Sequence, residues 1–157
     1  MHHVPRRILK RVVPFALCLV GVFGAATSAQ AAAPVPFTIT QTVTGLSPTG
    51  GGMGTFVATA PLCPSGTWLD TVHNTAPNSP NNDAHSDRFN LLVRTTFDCD
   101  DGRGSFFVQS QVDFTVTDGV VSNTGPSLLH GGTGAFLDLQ GHGVDTQGIM
   151  SGFITQP

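Results

Sequence analysis

Residues Phe106–Thr117, FFVQSQVDFTVT, alternate with a period of two. Phe106, Val108, Val112, Phe114 and Val116 fall on one face, and Phe107, Gln109, Gln111, Asp113, Thr115 and Thr117 on the other. That is the pattern of a β-strand with one dry face. FTITQTVT does the same, with Phe37, Ile39 and Val43 against Thr38, Thr40, Thr42 and Thr44. FNLLVRTTF repeats it with Phe89, Leu91, Val93 and Phe97. β-Branched and aromatic residues fill these runs, as strands prefer. Nowhere do ten residues keep a helical period without a Gly or Pro. The chain therefore reads as all-β.

Turn chemistry divides the strands. SPTGGGMG follows the first, DCDDGRGS sets Asp101-Gly102 between two patterned runs, and Thr117–Gly119 is a further hairpin signal. VHNTAPNSPNNDAHSDRF is one long polar loop. Strands are expected near 36–44, 54–60, 67–73, 89–98, 104–117, 119–124, 134–140 and 146–155. About eight antiparallel strands in one small domain suggest a closed barrel or a sandwich. Closure would hide strand edges that no lysine guards.

The N-terminus is of another kind. MHHVPRRILKR carries Arg6, Arg7, Lys10 and Arg11, and VVPFALCLVGVFGAA and TSAQAAAP follow. A basic segment, a short apolar core and an Ala-x-Ala exit read as a cleavable secretory signal peptide over 1–31. Cleavage is expected after Ala31, with Ala33 the alternative, and the barrel domain occupies 32–157. The apolar core is shorter than the roughly 20 residues a membrane helix needs. Cys18 lies inside that core and lacks the small neighbour of a lipidated cysteine.

Without the leader, Arg88, Arg94 and Arg103 face ten aspartates, a net charge of −7, with no Lys, Glu or Tyr. So acidic a surface makes nucleic acid and anionic membranes poor partners. Cys63 and Cys99 form an even pair in an oxidising compartment and read as a disulfide. A redox pair is the alternative, although no Cys-x-x-Cys is present.

Chemical motifs are scarce. GGTGAFLDLQGHG, Gly131–Gly143, fails as a dinucleotide loop, because Leu137 stands where the third glycine is needed and no helix pattern follows. Ala135, Leu137 and Leu139 alternate against Phe136, Asp138 and Gln140, which predicts a strand between glycine-marked bends. DCDDG lacks the spacing of a calcium loop and its closing Glu, so it reads as a hairpin turn, with weak surface calcium binding the alternative. His73, His85, His130 and His142 form no ligand pair, although His85 and Asp87 share the long loop. No Gly-x-Ser-x-Gly elbow occurs. The residues point to no metal, no cofactor and no catalytic set. Trp68 and the nine phenylalanines of 32–157 read as core, or as the wall of an apolar cavity for a small ligand.

FDCDDGRGSFFVQ and GGTGAFLDLQGHG together resemble secreted actinobacterial proteins with an allene oxide cyclase barrel-like domain. Those proteins carry a Cys-Asp-Asp-Gly-x-Gly turn, matched by Cys99, Asp100, Asp101, Gly102 and Gly104. A later glycine-rich motif is matched by Gly132, Thr133, Gly134, Ala135, Phe136, Leu139, Gly141 and Gly143. The resemblance spans about residues 60–157. It implies an eight-stranded antiparallel barrel related in shape to plant allene oxide cyclases and dirigent proteins, with Cys63 as the partner cysteine. Homo-oligomers are compatible with it, since the plant barrels form trimers or dimers. The plant cyclase uses a Glu to steer ring closure in a fatty-acid epoxide. This chain has none, and Gln41 is the closest polar candidate on the first strand.

Two functions follow as expectations. The first is a secreted, non-catalytic barrel that binds a small apolar ligand or an envelope partner. The second is a cyclase-, isomerase- or dirigent-like enzyme guiding a reactive substrate. The candidate ligand-binding residues are Trp68, Arg94, Asp113 and Gln41. A cavity holding a buried Asp or Arg, for instance Arg94 with Asp113, would favour the enzyme.

Overall fold

The structure, a computed structural model, describes residues 33–74, 88–118 and 120–156. The expected leader over 1–31, and His85 and Asp87, lie outside the described residues. The strands are β1 (Val35–Leu46), β2 (Gly52–Ala58), β3 (Ser65–Asn74), β4 (Arg88–Cys99), β5 (Ser105–Thr117), β6 (Val120–Gly132), β7 (Gln140–Thr146) and β8 (Ile149–Gln156). Each pairs antiparallel with its neighbours, and β1 pairs with β8 to close the barrel.

The alternation read from the sequence sets what points inward. Phe37 and Ile39 on β1, Phe97 on β4, and Phe106, Val108 and Val112 on β5 are buried. Thr40, Thr42, Gln109 and Gln111 are exposed. An eight-stranded barrel is just wide enough for inward side chains to fill it. Register shifts between Val43 and Gly45 and between Phe106 and Phe107 interrupt the ladders.

One end is solid. Phe56 meets Phe97 edge-on at 5.1 Å, Phe97 stacks on Phe106 at 4.9 Å, and Phe106 meets Phe136 at 5.4 Å. Met150 and Ile154 from β8 and Leu62 and Cys63 from the β2–β3 connection join this cluster. The Cys63–Cys99 disulfide ties that connection to the end of β4.

The predicted strand over 134–140 is corrected. β6 runs on to Gly132, and Gly134–Phe136 form one 3-10 turn. Phe136 is 3% and Leu139 1% exposed, whereas Leu137 is 66% exposed. The buried residues are three apart, the period of a 3-10 turn and not of a strand. Their side chains plug the barrel. Backbone bonds hold the plug against its neighbours: Ala135 N donates to Arg103 O at 2.8 Å, Thr133 N to Ser105 O at 2.8 Å, and Gly131 N to Leu139 O at 2.8 Å. The Arg103 guanidinium lies 5.5 Å over the Phe136 ring and donates to Pro61 O at 3.2 Å. The last two strands shift with this correction, so β7 and β8 begin at Gln140 and Ile149.

Candidate functional site

Toward the other end the inward residues change character. Gln41 follows Ile39 on β1, Asp70 follows Trp68 on β3, Thr95 precedes Phe97 on β4, and Ser110 follows Val108 on β5. These residues line a cavity of about 380 Å³. Val93, Val112 and Phe114 supply apolar wall, and Val43, 65% exposed, stands at its rim. A volume near the lower limit of small-molecule pockets with mixed lining is the usual form of a binding site.

Trp68 is 6% exposed, belongs to the core cluster and also lines the cavity, so its indole divides the two halves of the interior. Its Nε1 donates to Thr55 O at 2.9 Å. Gly52 makes that placement possible. A Cβ there would lie 2.5 Å from the indole Cη2. The Gly52 N–H also donates to Asp70 Oδ2 at 3.2 Å.

Asp70 accepts a second bond at Oδ1, from Thr95 Oγ1 at 2.6 Å. Burial raises the Asp70 pKa above its ordinary value, against the two hydrogen bonds that lower it, and the charge of Asp145 raises it further. Asp145 is 8% exposed, and burial raises its pKa too, against the Gly148 N–H bond to Oδ1 at 3.2 Å. Removal from water disfavours the charged form of a carboxyl, and a like charge nearby adds to that. β3 and β7 are four strands apart around a ring of eight, so the two acids come from opposite walls.

The β7–β8 hairpin positions Asp145. Gln147 and Gly148 have φ of 55° and 76°, the left-handed pair of a two-residue type I′ turn. The turn docks on its surroundings through Gln41 N to Gly148 O at 2.8 Å and Gln147 N to Asn123 O at 3.1 Å. Below it, Ser110 and Ser127 pair across β5 and β6 at 2.7 Å.

Of the candidates read from the sequence, Trp68 and Gln41 line the cavity. Arg94 and Asp113 do not. Arg94 is exposed on the outer face, 4.4 Å above the Phe107 ring. Asp113 is half-buried and pairs in register with Asn90, four residues from Arg94 on β4. Sequence reasoning missed Asp70, Asp145, Thr95 and Ser110. Three of them had a signal, a polar residue at an inward position of a patterned strand. Asp145 has none, because it falls between the strands expected over 134–140 and 146–155.

Among the described residues no three His, Cys, Asp or Glu side chains converge to hold a metal ion. No helix among them is long and apolar enough to cross a membrane. Compared with known proteins, the chain matches no family model, no curated protein and no solved structure.

Proposed function

We propose that the chain is an exported barrel that binds a small molecule in the cavity at the end opposite the plug. The observation that carries this reading is the division of the interior. Phenylalanines fill one half, whereas the other keeps about 380 Å³ beside Trp68, with polar groups set among apolar wall. A barrel needing only stability would fill that space, since a void forfeits the contacts of its lining. Polar groups at fixed positions give a ligand orientation as well as burial. Export is supported by the basic-apolar-Ala-x-Ala start and the disulfide.

A second reading is supported by one feature, the carboxyls of Asp70 and Asp145 pushed upward in pKa. A carboxyl that keeps its proton nearer neutral pH can serve as a general acid. That suits cyclase-, isomerase- or dirigent-like guidance of a reactive substrate, with Asp70 on β3 as the acid. The barrel and the Cys-Asp-Asp-Gly turn support kinship with allene oxide cyclase-like proteins, which is likewise a proposal. Native mass spectrometry of protein from its own culture supernatant tests the binding function. A retained small-molecule mass on the chain cut near Ala31 supports it. A bare chain that also takes up no compound from the culture extract overturns it.

A further inference from the structure

The cavity walls carry an uneven distribution of charge. Asp70 and Asp145 come from opposite sides of the barrel. Asp70 spends its two oxygens on the Thr95 hydroxyl and the Gly52 N–H. Asp145, 8% exposed and in the cavity wall, accepts the Gly148 N–H at Oδ1. No Lys, Arg or His of the described residues lines the space. The other walls present amides, hydroxyls and apolar groups: Gln41 on β1, Thr95 on β4, Ser110 on β5, Asn123 on β6 and Gln147 in the turn. One buried and one half-buried carboxylate with no cation beside them are costly unless a partner arrives.

We propose that the cavity selects a ligand with an ammonium head and a compact apolar body, the head seated between Asp70 and Asp145. The inference rests on the binding reading and adds the ligand's chemical class. An ammonium group carries several N–H donors and a charge opposite to both walls, so it answers both acids at once. The body lies along Trp68, Val93, Val112 and Phe114. A carboxylate ligand is repelled, because it would add a third negative charge. A neutral alcohol can bond one acid but cannot neutralise the pair.

The sign of the pH dependence separates these cases. A cation favours the charged carboxylates, so its binding releases protons and tightens as pH rises through their raised titration range. A ligand that accepts a hydrogen bond from a protonated acid weakens over the same range.

Phenethylamine, phenethyl alcohol and hydrocinnamate form a matched set of cation, neutral and anion. Each is titrated into the cleaved, disulfide-bonded protein, read by Trp68 fluorescence and calorimetry. The amine is expected to bind at least about tenfold tighter than the alcohol at neutral pH, and hydrocinnamate most weakly. The amine's advantage collapses in acid. Asp145→Asn lowers amine affinity about tenfold or more and leaves alcohol affinity within about twofold. If that variant does not fold, the wild-type pH series decides, and amine binding that ignores pH overturns the proposal. Alcohol binding as tight as the amine's overturns the ammonium head while the binding reading stands. No binding by any of the three overturns the ammonium head, and the binding reading then stands or falls on uptake from the culture extract.

Discussion

Alanine at Phe136 removes the largest side chain of the plug. The ring is 3% exposed, 5.4 Å from Phe106 and covered by Arg103. Deleting a buried phenylalanine costs about 3–5 kcal/mol, part lost transfer energy and part cavity. At a urea slope of about 2 kcal/mol/M the midpoint falls by about 1.5–2.5 M. Leu137→Ala is the paired control. Leu137 is 66% exposed, and truncation there costs less than about 0.5 kcal/mol. Equilibrium unfolding of both variants, followed by far-UV circular dichroism, gives the comparison. A strand over 134–140 would bury Leu137 with Leu139 and turn Phe136 outward. A Leu137→Ala loss as large as that of Phe136→Ala would therefore refute the plug.

Three further outcomes follow from the same contacts. Replacing Cys63 and Cys99 by alanine removes a cross-link across a sequence separation of 36 and lowers stability by about 4 kcal/mol in the chain-entropy model, measured by urea unfolding. Asp145→Asn stabilises the protein at neutral pH. The fold raises this carboxyl's pKa, so it penalises the charged form above that pKa, and the gain fades as pH falls through it toward the unfolded value, visible in melting curves against pH. Gln147→Asn stabilises by about 1 kcal/mol, because Asn tolerates the φ of 55° that Gln147 holds, and thermal melts test it.

The barrel was legible because its strands repeat one rule. Phe37 and Ile39, Val93 and Phe97, and Phe106 and Val108 alternate with neighbours that face outward, and no other element competes for those runs. Residues 120–156 were harder to read. Gly125-Pro126 resembles a break, yet both residues lie inside β6, where Pro126 pairs with Val144. The short 134–140 run fits alternation nearly as well as it fits a 3-10 turn, and contacts distant in sequence, such as the Phe106 ring and Arg103 O, decide which residue goes inside. The site was half legible for a related reason. Gln41 and Asp70 occupy inward positions of correctly placed strands, so their polarity stood out against the dry face. Asp145 enters the site through the β7–β8 hairpin, and its partner across the barrel is 75 positions earlier in the chain. No local pattern encodes that meeting.

Two desolvated acids, Asp70 and Asp145, face one cavity. A carbon-detected NMR titration of the side-chain carboxyls of the ten aspartates measures this directly. Asp70 and Asp145 are expected to titrate above the ordinary aspartate value, and both to move down when phenethylamine is added. Titration of both at the ordinary aspartate value, unmoved by the amine, would contradict it.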